Sequence, residues 1–219
     1  MEWPCWAIVP AKSLARGKSR LRSVLADDER ARFARQLIEH TLDVLRACEL
    51  DGVLVATDGD DVADLARARG AQVLRDREGT SLAAVVDRAL GDAASRGARA
   101  AVVLMADLPW VEPNDVRLLR DALGDHDVVV VSDHLRRHTN ALAMAPPCAI
   151  STCFGHEDSF AAHCSAAREA GLRLTVIDNE RIAFDVDGPA DHSRLAAGPL
   201  SETATGRRNR NRSSRVSCS

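Results

Sequence analysis

The sequence predicts a three-layer α/β fold: a mostly parallel sheet with helices on both faces and antiparallel strands at its edge. Short apolar runs closed by Pro, Gly or Asp recur along the chain, and helical patterns with apolar residues three and four apart alternate with them. The runs are almost continuously apolar, as strands covered on both faces must be. At 219 residues the chain suits one domain, residues 1–200, followed by a short tail.

Residues 6–10 (WAIVP) form the first buried strand, which proline closes. From Asp27 the period changes: Phe33, Leu37, Ile38, Leu42 and Leu45 share one face of a helix that runs to about Cys48, with Asp27 or Asp28 as its cap. The β-branched run 52–57 is a strand, 58–70 a capped helix ending at Gly70, and 71–74 a further strand. Alternation continues with a helix over 82–97, a strand over 100–107, a helix over 113–123 with Pro113 at its start, and a strand over 127–133. After residue 139 the texture shifts to TNALAMAPP (139–147), a helix over 159–170 and two closely spaced strands, 172–178 and 182–187, which read as the antiparallel edge.

In such sheets ligands bind beyond the carboxyl ends of the strands, so the residues following each strand are where chemistry belongs. The first such loop, VPAKSLARGKSRL, lacks the glycine patterns of a dinucleotide fold or a phosphate-binding NTPase loop. It instead places Lys12, Arg16, Lys18 and Arg20 within nine residues, cations suited to a polyphosphate or, equally, to a solvated loop. Asp107 follows an apolar strand directly. Asp185 and Asp187 lie two apart, on one face of a strand. Three carboxylates at strand ends can hold Mg²⁺, which takes oxygen ligands and accompanies phosphates.

Composition narrows the remaining classes. Hydrophobic residues make up 46% and charged residues 28%, ordinary for a soluble globular protein, and no stretch reaches the length of a membrane span. The first dozen residues carry no basic segment followed by an apolar run, which places the protein in the cytoplasm. The net charge of −3 is uneven: residues 201–219 hold five arginines against Glu202, a +4 segment, so residues 1–200 carry −7. An acidic body argues against a nucleic-acid-binding domain, and the arginine tail reads as a solvated, disordered terminus. Cys148, Cys153, His156, His163 and Cys164 have ligand chemistry but no zinc-type spacing, so they read as loop or core groups. His134 and His138 flank a basic loop that suits an anionic ligand or a plain turn, and Trp110 reads as a core aromatic in preference to a pocket wall.

Five stretches in order, IVPAKSLARGKSRL (8–21), ADLP (106–109), TNAL (139–142), the FG…SF…H arrangement (154–163) and DVDGPAD (185–191), resemble the phospho-hydroxyacid guanylyltransferases of deazaflavin coenzyme (factor 420) biosynthesis. The resemblance covers residues 6–196. It implies a nucleotidyltransferase-like (Rossmann-like) α/β fold, GMP transfer from GTP to a phosphorylated three-carbon acid, diphosphate release and a Mg²⁺ cofactor. It places Lys12, Lys18 and Arg20 on the GTP phosphates and Asp107, Asp185 and Asp187 on the metal, with Lys12, Lys18, Arg20 and Asp107 as the catalytic set. Thr139, Gly155 and Ser159 match the positions that hold the acceptor.

Three departures from the family pattern are Met105 in place of proline, His138 in place of glycine, and Ser81-Leu82-Ala83-Ala84-Val85 where the family has a Leu-Asn-Ala-Ala-Leu segment. An adaptable thioether and an added donor favour 3-phospho-D-glycerate over phosphoenolpyruvate and 2-phospho-L-lactate. The alternatives are a sugar-phosphate or other nucleotidyltransferase, and a non-catalytic nucleotide-binding module whose arginine tail recruits RNA or protein. A homodimer is compatible with this sequence.

Overall fold

The computed structural model describes residues 3–196, so the expectation for the tail 201–219 lies outside the described residues. Its centre is a seven-stranded sheet built from β1 (Cys5–Pro10), β2 (Gly52–Thr57), β3 (Gln72–Arg75), β4 (Ala100–Leu104), β5 (Val128–Ser132), β6 (Thr139–Met144) and β7 (Leu174–Val176), in the order β3-β2-β1-β4-β6-β5-β7. The helices are α1 (Asp27–Arg46), α2 (Asp60–Ala68), α3 (Leu82–Ser95), α4 (Pro113–Ala122), α5 (Ser159–Glu169) and α6 (Pro189–Ala196), with a 3-10 turn over Ser19–Ser23. No helix among the described residues is long and apolar enough to cross a membrane.

Period-two alternation sends the strand side chains to two cores. Ala7, Val9, Val55, Val102 and Leu104 pack against Ile38, Leu42 and Leu45 of α1, Val62 and Leu65 of α2, and Leu119 of α4. Ile8, Leu54, Ala101 and Val103 face Val86, Ala89 and Leu90 of α3 and Phe160 and Cys164 of α5. The central strands are therefore almost continuously apolar because both faces are covered, the condition their sequences implied.

Antiparallel pairing lies elsewhere than predicted. β1 pairs parallel with β2 and β4, β2 with β3, and β5 with β7, whereas β6 runs antiparallel to both β4 and β5. One reversed strand thus sits inside the sheet, not at its edge. The chain skips one strand position on leaving β4, lays down β5, and returns through the short loop 133–138 to fill the gap. The predicted strand 182–187 forms no ladder, and the predicted 172–178 is reduced to the three residues of β7. Asp27 and Asp28 lie in the first turn of α1, not at its cap; Ala26 is the cap, and the Glu29 side chain accepts its N–H at 2.9 Å.

Candidate functional site

The loop after β1 is tied to its surroundings through its backbone. Ala11 donates to the Ala56 carbonyl at 2.9 Å, Ser13 N–H to Asp58 at 3.0 Å and Leu14 N–H to Asp61 at 2.9 Å. A Cβ on Gly59 would lie 2.6 Å from the Ser13 Cα, so only glycine lets the β2–α2 loop approach this closely. From the other side the buried Arg30 guanidinium of α1 donates to the Ala15 and Gly17 carbonyls at 2.9 and 2.6 Å. The loop is held as a fixed arc, with Lys18 in the left-handed region at its end (φ 52°).

That arc delivers Lys18 to the predicted carboxylates. Its Nζ lies 2.6 Å from Asp107 Oδ2 and 3.4 Å from Asp187 Oδ1, while Arg20 reaches Asp187 Oδ2 at 3.0 Å. Asp107, Asp185 and Asp187 each place a carboxylate oxygen within 4.8 Å of the others. Burial pulls the Lys18 ammonium down, but the charge and hydrogen bond of Asp107, with Asp187 and Asp185, outweigh it and hold the group above its ordinary value. Asp185 is pushed up to about 6 by burial first and the Asp107 charge next, Asp187 adding to the rise while the Asn140 hydrogen bond opposes it.

The Asp185–Asp187 segment reaches this place without strand pairing. Asn140 of β6 donates to the Ile182 carbonyl at 2.9 Å and to Asp185 Oδ1 at 3.2 Å. The Val186 N–H bonds the Asp107 carbonyl at 3.2 Å, and Asp191 accepts the N–H groups of Asp187 and Gly188. Upstream, Asp115 at the start of α4 grips Arg181 at 2.6 and 2.8 Å and Asn179 at 2.8 Å. Trp110 stacks on Phe184 with ring centroids 3.9 Å apart, and the Arg194 guanidinium lies over both rings. Trp110 thus belongs to a small third core with Leu21 and Val186, as its core reading expected.

Above the strand ends opens a cavity of about 910 Å³, lined among others by Lys12, Lys18, Arg20, Asp107, Asp187 and Gly155. Met105 lines it as well; Thr139, Ser159, Asp185 and His138 are outside its lining. Thr139 and Ser159 are buried beneath the wall instead. The Thr139 N–H donates to Ser159 Oγ at 3.1 Å, and Thr139 Oγ1 lies 2.9 Å from His163 Nδ1. His163 Nε2 accepts the Cys153 N–H at 2.8 Å, so the neutral ring carries its proton on Nδ1 and donates toward Thr139. Burial pushes His163 down to about 4, with the charge of His156 adding to the effect. The network fixes the turn 153–156, which presents Gly155 to the cavity at a positive φ of 84°. His138, expected to offer a donor to the acceptor, is paired with the buried Asp133 at 3.2 Å.

Sequence reasoning missed Asn140 and His163 as organisers of the site. A single buried amide in an apolar strand has no periodic signature, and His163 was visible as generic ligand chemistry and as the end of the FG…SF…H stretch, with no role attached to it. The three aspartates fit a hard divalent cation: they are oxygen donors and mutually close, and burial together with the neighbouring Asp107 charge raises the pKa of Asp185. Cations and carboxylates at one strand-end cavity can bind a polyphosphate and stabilise charge moving between phosphate groups.

Residues 5–198 match the family model described as guanylyl transferase CofC like. The chain is 39% identical over 193 residues to a phosphoenolpyruvate guanylyltransferase of Rubrobacter xylanophilus, covering 88% of this chain and 93% of the relative. It is 35% identical to a 2-phospho-L-lactate guanylyltransferase of Halorubrum lacusprofundi, over 86% and 82% of the two chains. It is 32% identical to a 3-phospho-D-glycerate guanylyltransferase of Phenylobacterium zucineum, over 88% and 90%. Among solved structures, a putative nucleotide-diphospho-sugar transferase from Desulfovibrio desulfuricans shares the fold, with a TM-score of 0.74 at 17% identity over 88% of this chain and 86% of that one.

Proposed function

The chain belongs to the CofC-like guanylyl transferase family, and on that premise we propose that it transfers GMP from GTP to the phosphate of a three-carbon phospho-acid, releasing diphosphate. The observation that carries this reading is Lys18 set among Asp107, Asp185 and Asp187 at the open end of β4, inside a cavity that Lys12 and Arg20 also line. A phosphate oxygen of the acceptor attacks the α-phosphorus of GTP, a new P–O bond forms, and the bond from the α-phosphorus to the oxygen bridging toward the β-phosphorus breaks. A phosphate monoester has a second pKa of about 6, so it is already nucleophilic near neutral pH and no protein base is required.

The chain's task is then to overcome repulsion between two anions and to align them. Lys12, Lys18 and Arg20 bind the triphosphate and stabilise the charge that gathers on departing diphosphate. Asp107, Asp185 and Asp187 would hold Mg²⁺, which supplies charge neutralisation and orientation at the phosphates when bound. Gly155 presents bare backbone at the wall to the acceptor, while Thr139 and Ser159 act beneath it through His163.

For the acceptor itself, phosphoenolpyruvate is the better reading. A relative with that activity is 39% identical, and the His138 donor that favoured 3-phospho-D-glycerate is engaged by Asp133. The product belongs to deazaflavin coenzyme assembly in the cytoplasm. Diphosphate release measured for GTP, ATP, CTP and UTP, each with phosphoenolpyruvate, 3-phospho-D-glycerate and 2-phospho-L-lactate, tests the proposal. GTP with phosphoenolpyruvate should give the highest kcat/KM, and no release from GTP with any of the three acids would overturn it.

A further inference from the structure

We infer that Arg16 and Glu78 read the guanine base: Arg16 donates to O6, and Glu78 accepts from N1–H and the 2-amino group. This rests on the guanylyl-transfer reading and assigns the part of the cavity that the phosphate chemistry leaves unused. Beyond the cations and metal-type carboxylates, the cavity extends to Arg16, Asp58, Asp76 and Glu78, which follow β1, β2 and β3.

Sheet order fixes the distance. β4, β1, β2 and β3 are consecutive neighbours, and neighbouring strands lie ~4.8 Å apart, which puts the loops after β4 and β3 about 14 Å from each other. That is comparable with the reach of a nucleotide from its α-phosphate to the far edge of its base. With the α-phosphate beside Lys18 and Asp107, the nucleoside crosses the ends of β1 and β2, and the base arrives at residues 76–78.

The polar groups waiting there differ in freedom. Asp76 is buried against Arg88 at 2.7 Å. Asp58 accepts the Ser13 N–H and pairs with Arg16 at 2.5 Å, while Arg16 Nε donates to Ser13 Oγ at 3.0 Å. Arg16 is therefore fixed from behind, and its remaining guanidinium edge faces Glu78, to which it is ion-paired. The Glu78 side chain is 78% exposed and has Arg16 as its partner among the described residues. A fixed cation beside an adjustable carboxylate presents a donor followed by two acceptor oxygens.

Guanine offers the complement in the same order: the acceptor O6, then the donors N1–H and 2-NH₂. Adenine reverses the first two groups. Cytosine turns acceptors N3 and O2 toward the carboxylate. Uracil matches O6 and N1–H but sets a carbonyl where the second donor is needed. Hypoxanthine matches guanine except for the missing 2-amino group, so ITP isolates the second contact of Glu78.

The experiment uses the full chain with GTP and ITP, by equilibrium binding without acceptor and by diphosphate release with phosphoenolpyruvate. The wild type should favour GTP over ITP by about tenfold or more, the discrimination expected of a bidentate contact. Glu78→Gln keeps the length and exposure of the side chain but turns an amide N–H₂ toward the 2-amino group, so the ratio should fall to one or below in both assays. A wild type that does not separate GTP from ITP, or a Glu78→Gln variant that keeps the wild-type ratio, overturns the inference. If wild type releases no diphosphate from GTP while its GTP-to-ITP binding ratio still collapses in Glu78→Gln, guanylyl transfer fails and base reading stands.

Discussion

Loop 11–20 and segment 179–191 bring opposite charges to the same few ångströms, and they are held there by different means. The cation loop grows directly out of β1 and is secured through its backbone: its amides reach Ala56, Asp58 and Asp61, and its carbonyls reach the buried Arg30. The carboxylate segment has one backbone bond to the β4 end, from Val186 to Asp107. A second backbone bond runs from His134 N–H in the loop 133–138 to the Ala183 carbonyl, and the further long-range support comes from side chains: Asn140, Asp115 with Arg181, and the Trp110–Phe184–Arg194 stack. A backbone-secured loop tolerates many side-chain changes. A side-chain-clipped segment does not, so substitutions well away from the reacting atoms should register on the carboxylate side.

The largest effects fall where the two regions meet. Asp107→Ala and Asp187→Ala should each lower turnover by more than about a hundredfold, since losing a residue behind a metal ligand already costs 10–100-fold and here the ligand itself is lost. Both side chains are partly exposed, Asp107 beyond the end of β4 and Asp187 in the unpaired segment before α6, so melting temperature should change little. Near-wild-type turnover at saturating Mg²⁺ in either variant would remove the metal assignment.

Next comes Asn140→Ala, which tests whether clips govern the carboxylate side. The change frees Asp185 and leaves the Ile182 carbonyl without its partner, so metal affinity, followed by Mn²⁺ titration, should weaken by roughly 10–100-fold and stability should fall by about 1–3 kcal/mol. Unchanged Mn²⁺ affinity would show that the backbone alone sets Asp185. A smaller, mainly structural effect is expected at Asp115→Asn, two contacts further out. Burial alone would raise the Asp115 pKa, but its hydrogen bonds to Arg181 and Asn179 outweigh this and hold the carboxylate below its usual range. A depressed acid stabilises the fold above its unfolded pKa and loses that contribution as pH falls through the folded value, so wild type and variant should converge in urea midpoint on the acid side and differ at pH 7.

The same contrast explains what the sequence revealed. Continuous apolar runs identified the parallel strands, and cation spacing after β1 found Lys18, because both features are local. Residues 182–187 looked like a strand because Ile182, Phe184 and Val186 alternate. That alternation records burial on one side only: Ile182 joins the main core and Phe184 and Val186 join Leu21 in the third, with no strand beside them. The clips of Asn140 and Asp115 depend on partners 40 or more residues away, and the place of the reversed β6 inside the sheet depends on its pairing with β4, across the whole of α4 and β5, which no short window of sequence contains. Thr139 and Ser159 came from family resemblance, yet beneath the cavity wall the Ser159 hydroxyl accepts the Thr139 backbone N–H and the Thr139 hydroxyl meets His163.

The smallest effect at neutral pH belongs to that buried network, where the wall of the cavity rests on a histidine. His163 is fully buried and pushed down to about 4 from an ordinary 6.5, so at pH 7 the ring is largely neutral in both folded and unfolded chains and contributes almost nothing through titration. Between pH 6.5 and 4 the unfolded chain binds a proton that the folded chain refuses, so stability must fall as pH falls through that window. At 1.36 kcal/mol per unit, the loss approaches about 2 kcal/mol by pH 5. His163→Gln retains an acceptor for the Cys153 amide and cannot titrate. Urea midpoints at pH 7 and pH 5 should therefore separate more in the wild type than in the variant. Equal pH slopes in the two proteins would mean that His163 takes up its proton within the fold, and that the turn carrying Gly155 is not held by a neutral ring.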